Sequence, residues 1–266
     1  ELAQQGHTYG RLLGTSAGAI TAAFLAAGYT PDEMEAVLSE RDADGKPVFA
    51  SFMGEPPPFT DESIKAGALR KLLAGVELTF VPDFVQDAVK DQLAAALANN
   101  LRTRSFVALV ERGGWFSADN FLAWMRAKMD AGKVKGKQRN FSGMTLAQFH
   151  TATGADVTFC ATDTRARRQL VLNHRTAPDC PLVYAVRMSM SIPLLWDEVI
   201  WQPEWGAYQG ASITGDAVVD GGVLSNFPLE LFVSDEPFVT RVMGPKQKNP
   251  VLGLQLDDAM PVPVPR

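Results

Sequence analysis

The first apolar segments of the chain predict a strand and a buried helix joined by a short turn. Residues 8–13 have the apolar run of a short strand. Residues 17–27 are almost all small and apolar, which predicts a helix that ends before a glycine. The Thr-Pro-Asp-Glu sequence that follows is typical of a helix start, because the threonine and glutamate can form a capping box. A second helix is therefore predicted over residues 31–41.

The middle of the chain has the three-to-four-residue spacing of helices and almost no strand signal. Residues 42–60 are rich in proline, glycine and aspartate and predict a loop, whereas residues 61–75 and 83–101 predict helices. We interpret residues 42–112 as a helical insertion, cap or lid over one edge of the fold. Within the second of these helices, four-residue spacing predicts one apolar side formed by Val85, Val89, Leu93 and Leu97.

Strand patterns return in the last part of the chain, after two further predicted helices. Residues 118–131 and 145–153 have helical spacing and suitable caps, and a helix predicted over residues 181–191 must end before a proline. Helices that alternate with strands indicate an α/β fold with a sheet covered on both faces. Alternating or β-branched segments predict strands at residues 156–163, 169–173, 194–201, 216–220 and 251–256.

Composition and charge exclude several classes of protein. The 266 residues are 46% hydrophobic and 21% charged, as in a globular protein, and they can form one domain over residues 1–266. The net charge of −5 gives no support to nucleic-acid binding. Two cysteines and three histidines are too few for a disulfide framework or a zinc site. The sequence has no apolar run long enough to span a membrane.

The clearest chemical signal is the run Gly14-Thr-Ser16-Ala17-Gly18 between the first predicted strand and helix. A sharp strand–turn–helix presents a serine hydroxyl at the end of a strand, and the glycines avoid collisions with neighbouring backbone. The start of the following helix helps to stabilise negative charge on a reacting oxygen. The pattern therefore predicts that Ser16 is a nucleophile.

A serine nucleophile needs a base, and the sequence offers two. His174 with Asp163 has the chain order of a Ser–Asp–His triad, although an α/β-hydrolase has more strands before its nucleophile. Asp220 ends an apolar strand and precedes Gly221 and Gly222, a position where open α/β sheets place their sites. No histidine follows Asp220, so it would act on the serine directly as a dyad.

Several motifs together resemble those of the patatin-like phospholipase family. GTSAG at residues 14–18 is followed by RMSMSIP at 187–193 and DGGVLSNFP at 220–228, in the order of that family's motifs. The resemblance implies a three-layer α/β/α sandwich with Ser16 as nucleophile and Asp220 as base. It also implies hydrolysis of fatty-acyl esters of phospholipids or lysophospholipids through an acyl-enzyme, without a cofactor.

The resemblance also implies partners and leaves alternatives open. The expected partner is a phospholipid or other acyl lipid, reached by contact with a peripheral membrane surface. The family's glycine-rich oxyanion loop precedes its serine motif, so we expect it upstream of residue 1. The alternatives are a Ser–His–Asp carboxylesterase that uses His174 and a catalytically degenerate lipid-binding protein. The oligomeric state is open, and a cytoplasmic or peripheral-membrane location is favoured over secretion.

Three weaker features are candidates for lipid contact. Residues 52–59 contain two phenylalanines and three prolines and are a candidate lid over Ser16. A pocket wall or core is predicted for Trp115, Phe116, Phe121 and Trp124. A basic group suited to anionic head groups comprises Lys133, Lys135, Lys137 and Arg139.

Overall fold

A computed structural model describes residues 8–75 and 83–255, which form a mixed α/β fold with a central sheet that contains a parallel strand pair. The strands are β1 (Arg11–Thr15), β2 (Gly114–Phe116), β3 (Lys133–Val134), β4 (Lys137–Gln138), β5 (Asp156–Asp163), β6 (Arg168–Leu172), β7 (Leu194–Trp196), β8 (Val199–Ile200) and β9 (Ala217–Asp220). The helices are α1 (Ala17–Ala26), α2 (Pro31–Leu38), α3 (Asp61–Ala66), α4 (Ala68–Ala74), α5 (Asp83–Asn99), α6 (Leu101–Arg112), α7 (Asp119–Asp130), α8 (Leu146–Thr153), α9 (Leu182–Ser189), α10 (Glu230–Val233) and α11 (Pro237–Met243). Within the described residues, no helix combines the length and apolar character that a membrane crossing requires.

Strand β5 is the centre of the main sheet, and its two edges are occupied differently. β6 pairs antiparallel along one edge, from Phe159 to Asp163. β1 pairs parallel with the first part of the other edge, as far as Cys160. β9 pairs antiparallel with the rest of that edge, from Ala161 onward, and β8 pairs with β9. Because β1 and β9 approach along one edge from opposite directions, their carboxyl ends meet there.

Apolar residues cover both faces of this sheet, since successive strand residues point in opposite directions. Phe159 and Leu172 belong to the main core, together with residues of α1, α7 and α9. Cys160 and Val171 point to the other face and pack against residues of α10 and α11 such as Val242. Cys160 is fully buried, as its place in the alternating strand pattern predicts.

Helices α3 to α6 contribute to a separate apolar cluster. The prediction of one helix over residues 61–75 is wrong, because the chain breaks at Gly67 between α3 and α4. There the Glu111 carboxylate accepts hydrogen bonds from the N–H groups of Ala68 and Leu69, at 2.8 and 2.7 Å. A Cβ at Gly67 would lie within 2.4 Å of that carboxylate, so the absence of a side chain permits the contact.

The buried side of α5 differs from the predicted apolar side. Val89 and Leu93 are exposed, whereas Ala94 and Ala98 are fully buried. Small residues at a contact let two helices approach closely, which suits the packing of α5 against α6. Leu97, also on the predicted side, is half-buried against the cluster, so hydrophobic spacing predicts the helix but only part of its buried face. The side chain of Val85 lies outside the described residues.

Three other boundaries differ from the sequence-based expectation. The helix predicted over residues 31–41 ends at Leu38, where the Ser39 hydroxyl donates back to the Glu35 carbonyl at 2.7 Å. Residues 194–201 form two strands rather than one, because β7 pairs with β2 and β8 pairs with β9. Residues 251–255 form no strand, and residue 256 lies outside the described range.

The predicted basic group is divided between surface and core. Its three lysines are exposed on the hairpin formed by β3 and β4. Arg139 is only 1% exposed, forms an ion pair with Glu33 at 3.0 Å and lies 3.8 Å above the Tyr29 ring. The prediction that Arg139 faces anionic lipid is therefore wrong. It joins the start of α2 to the segment after β4.

Candidate active site

Ser16 lies in a strained turn between β1 and α1. Its φ of 54° and ψ of −125° are unusual for a residue with a side chain, and such strain is common where a nucleophile is presented. A Cβ at Gly14 would lie 2.2 Å from the carbonyl oxygen of Gly18, so the turn needs glycine at position 14. Gly18 has open space around it, so the expected steric need for glycine there is wrong. Ala17 and Gly18 are exposed and form the first turn of α1.

Asp220 ends β9 and is 4% exposed. Its Oδ1 atom accepts a hydrogen bond from the N–H of Gly222 at 2.7 Å, and no described group donates to Oδ2 in good geometry. A Cβ at Gly221 would lie 2.4 Å from the Cys160 carbonyl oxygen and 3.0 Å from Thr15 Cγ2. Glycine at 221 thus lets the turn after Asp220 pack directly against the end of β1.

The Ser16 turn and Asp220 adjoin where β1 and β9 meet. The register pairs Thr15, the residue before the serine, with Cys160, and it pairs Asp220 with the next residue, Ala161. Burial raises the pKa of Asp220, whereas the N–H of Gly222 and the nearby Ser16 hydroxyl lower it. The Ser16 hydroxyl is therefore near enough to Asp220 to affect its pKa, and the Oδ2 atom accepts no hydrogen bond from the described residues.

Ser189 at the end of α9 and Ser191 just after it bind Ser16 and Asp220 through main-chain hydrogen bonds. The Ser16 N–H donates to the Ser189 carbonyl oxygen at 3.1 Å, and the Asp220 N–H donates to the Ser191 carbonyl oxygen at 2.8 Å. The Ser189 hydroxyl in turn donates to the Cys160 carbonyl oxygen at 2.6 Å. One short segment thus fixes the position of the serine relative to the aspartate.

Arg187 supports this segment from inside the fold. Its guanidinium is almost fully buried, donates to the Ser191 hydroxyl and also binds the Asp197 carboxylate at 2.6 Å and the Asp197 carbonyl oxygen at 2.7 Å. The Ser191 hydroxyl donates back to the Arg187 carbonyl oxygen at 2.6 Å. The sequence motifs predicted no structural or catalytic role for Arg187. Its position four residues before Ser191 on a strongly apolar helix was a signal that it is buried and paired.

His174 is not near Ser16, so the triad alternative is not formed in this structure. The His174 ring stacks on His150 at 3.7 Å, and its Nδ1 atom lies 3.9 Å from Asp156 Oδ1. Asp156 pairs with Arg11 at the far end of β1, about 13 Å of strand from Thr15. Burial and the nearby Arg175 lower the pKa of His174 to about 4, which makes it a poor base.

Asp163, the other proposed member of that triad, has its own partners. It is fully buried and binds Arg168 at 3.2 Å and the N–H of Ala166 at 2.9 Å. These bonds occupy both carboxylate oxygens within the turn that joins β5 to β6. Asp163 therefore has a structural role in that turn.

The predicted lid and wall residues are divided between the core and the surface. Phe52 is buried, with its ring 5.4 Å from Phe121 and 4.9 Å from Trp124. Phe59 belongs to the separate cluster of α3 to α6. Trp115 is exposed instead, beside Phe106. In the described part of the chain, no group of three or more His, Cys, Asp or Glu residues is arranged to hold a metal ion.

One curated protein and one solved structure illustrate what this chain is similar to. The chain is 27% identical over 261 residues to the uncharacterized protein YqhO of Bacillus subtilis strain 168. The match covers 96% of this chain and 64% of YqhO, so the chain spans less than two thirds of that relative. A crystal structure of VipD from Legionella pneumophila aligns with a TM-score of 0.43 and 16% identity, covering 85% of this chain and 43% of VipD.

Comparison with protein-family models identifies the family. The model for patatin-like phospholipases matches residues 2–233, which include both the Ser16 turn and the Asp220 turn. The match covers the main sheet and the segment of Arg187, Ser189 and Ser191. The chain therefore belongs to the patatin-like phospholipase family.

Proposed function

We propose that this protein is a lipid acyl hydrolase that cleaves fatty-acyl esters of phospholipids or lysophospholipids with a Ser16–Asp220 dyad. The observation that carries the proposal is the position of Ser16 and the buried Asp220 at adjoining strand ends, although they are 204 residues apart in the chain (220 − 16). Family membership supports the lipid as substrate class. The strained Ser16 turn supports its role as nucleophile.

In the proposed reaction, Ser16 Oγ attacks the ester carbonyl carbon while Asp220 accepts the hydroxyl proton. The C–O bond to the alcohol then breaks, and the protonated Asp220 returns the proton to that alcohol. Water deprotonated by Asp220 attacks the acyl-enzyme and releases the fatty acid. The first amides of α1, at Ala17 and Gly18, have no partner within their helix and are suited to stabilise the oxyanion.

The environment of Asp220 suits a carboxylate that has to act as a base. An ordinary aspartate has a pKa of about 3.9 and is a weak base. Burial raises the pKa of Asp220 above its usual value, so the carboxylate holds a proton more strongly. The N–H of Gly222 holds Oδ1, which leaves Oδ2 for the proton.

Contact with a lipid surface is supported by an apolar rim beside the dyad. We use this name for Ile192, Leu194, Val223 and Leu224, whose exposed fractions lie between 45% and 65%. The first two follow the segment that holds Asp220, and the last two follow Gly222. Exposed apolar residues next to a reactive site are typical of proteins that act at lipid surfaces.

We further propose that residues 1–266 form one domain with three layers, in which residues 42–112 are a helical cap. The separate apolar cluster of α3 to α6 supports the cap, and the apolar packing on both faces of the sheet supports the layers.

Replacement of the nucleophile tests the proposal. We expect Ser16→Ala to lower the turnover of a soluble p-nitrophenyl ester and of a fluorescent phospholipid by at least about 10³-fold, with an unchanged melting temperature. Asp220→Asn is expected to lower turnover by about 10²–10⁴-fold, because it removes the base. The control is Ser212→Ala, an exposed serine on another loop, which is expected to keep full activity.

Labelling by a fluorophosphonate probe distinguishes the alternatives. Labelling that is lost in Ser16→Ala and greatly slowed in Asp220→Asn supports the dyad. Wild-type turnover in Ser16→Ala would contradict it. A protein that binds lipid vesicles but shows neither turnover nor labelling would be a lipid-binding protein instead.

A further inference from the structure

A pocket lies outside the sheet on the side opposite the proposed dyad. Its volume is about 480 Å³, and it includes Arg168 at the start of β6, whose other edge pairs with β5. Its polar walls are formed by Arg168, Arg175, Thr176, Tyr208, Gln209 and Arg241. β5 separates β6 from β1 and β9, so two strand spacings, about 10 Å, lie between β6 and the strands that carry the dyad.

The charged side chains that line this pocket are all positive. Its walls include three arginines and no aspartate or glutamate, in a chain whose net charge is −5. This lining favours an anionic ligand over a cationic one.

Two of the arginines are already held in place by carboxylates of β5. Arg168 binds Asp163 at 3.2 Å, and Arg175 binds Asp156 through two bonds of 2.8 and 2.9 Å. Asp156 also binds Arg11 at 3.0 Å, so one carboxylate serves two guanidinium groups. These carboxylates belong to β5 and do not line the pocket. Fixed guanidinium groups lose little conformational entropy when they bind a ligand.

Arg241, unlike Arg168 and Arg175, is not paired with a carboxylate of the described residues. It lies on α11, is exposed and forms no ion pair with the described residues. Its guanidinium lies 5.5 Å from the centre of the Phe238 ring. The pocket thus carries one arginine that can turn toward a ligand and two that are already positioned.

We propose that this pocket binds a phosphate-bearing ligand. Arginine forks match the oxygens of a phosphate group, and several of them suit a dianion better than a single carboxylate. A volume of about 480 Å³ accommodates a phosphorylated head group or a small phosphate ester. The ligand chemistry can come from an anionic lipid head group or from a soluble phosphate ester. The site is separate from the proposed dyad, so it does not depend on the proposed function.

Binding measurements on the Ser16→Ala protein test this proposal, because the lipid probes then stay intact. Glycerol 3-phosphate is titrated by calorimetry, and sedimentation is measured with phosphatidylcholine vesicles with or without phosphatidic acid. We expect Arg241→Glu to weaken binding at least about tenfold, and Arg241→Lys to weaken it by about threefold or less. The control is Arg41→Glu, which makes the same charge change at an exposed arginine on another part of the surface.

Each outcome decides the proposal. Binding of glycerol 3-phosphate with this pattern of variants supports a soluble ligand. Binding only of vesicles that contain phosphatidic acid, with the same pattern, supports a lipid head group. Binding of neither probe overturns the proposal, and so does equal weakening by Arg241→Glu and Arg41→Glu, which would indicate diffuse charge attraction. Melting temperatures of the two exposed-site variants exclude a loss of folding.

Discussion

Burial of Asp220 raises its pKa, and the same burial makes its ionised form unfavourable in the folded protein. A carboxyl group whose pKa is raised on folding stabilises the fold at low pH, where it is protonated in both states. That contribution is lost as the pH rises through the raised pKa of the folded state. Above that pKa the wild-type protein therefore carries a buried charge that weakens its stability.

At the residue scale we predict that Asp220→Asn raises the melting temperature at pH 7 while it removes activity. The gain is expected to be a few degrees, since about 1 kcal/mol shifts the melting temperature of a chain of this size by about 2–4 °C. The gain should shrink as the pH falls through the raised pKa of Asp220 and disappear below about 4, where the carboxyl is protonated in both the folded and the unfolded protein. Thermal denaturation of both proteins between about pH 3 and about pH 8 checks this. A melting temperature that falls at pH 7 would contradict it.

At the scale of elements, α9 and the segment after it connect the two halves of the candidate site. Ser189 and Ser191 hold the main chains of Ser16 and Asp220, and the buried Arg187 holds Ser191 and Asp197. A change at Arg187 is therefore expected to act on the site indirectly, through the position of Asp220.

We predict that Arg187→Met lowers kcat by about 10–100-fold and leaves KM within about twofold, because a misplaced base affects the reaction more than substrate binding. Arg187→Lys is expected to recover only part of the loss, since an ammonium cannot reproduce the planar fork. Steady-state kinetics check this split. The control is Arg126→Met on α7, an exposed arginine near Tyr184. A rise in KM with normal kcat would mean that Arg187 serves substrate binding instead.

At the scale of the whole molecule, two different surfaces lie on opposite sides of β5. The apolar rim follows, along the chain, the segments that hold the proposed dyad where β1 and β9 meet, and the arginine pocket lies beyond β6. The rim is expected to matter for substrates presented in a bilayer and not for a soluble ester.

We predict that Leu194→Asp lowers hydrolysis of vesicle phospholipid about tenfold or more and leaves turnover of a soluble short-chain ester unchanged. Leu194 is 65% exposed, and burying a leucine in lipid contributes about 1.5–3 kcal/mol. The control is Leu38→Asp on α2. Helix α1, about 15 Å long, lies between Ser16 and the start of α2 along the chain. Parallel losses on both substrates would place Leu194 in the fold or the reaction site, against this prediction.

Local signals in the sequence predicted local structure well. The Thr30–Glu33 and Thr145–Gln148 capping boxes both form, and Gly154 ends α8 in a left-handed conformation. β1, β5, β6 and β9 overlap the segments whose patterns predict strands. Such features depend on residues within one or two turns of chain, so their spacing is enough to predict them.

The sequence by itself determined the motif around Ser16, the Asp-Gly-Gly turn at Asp220 and the family to which both motifs point. Only the tertiary structure decided that the ends of β1 and β9 meet along one edge of β5, which brings the two motifs together and leaves His174 at the far end of the sheet. It also decided the buried face of α5, the ion pair of Arg139 and the arginines that share one pocket. These features depend on contacts between residues far apart in the chain, and hydrophobic spacing carries information only about neighbours along a single element.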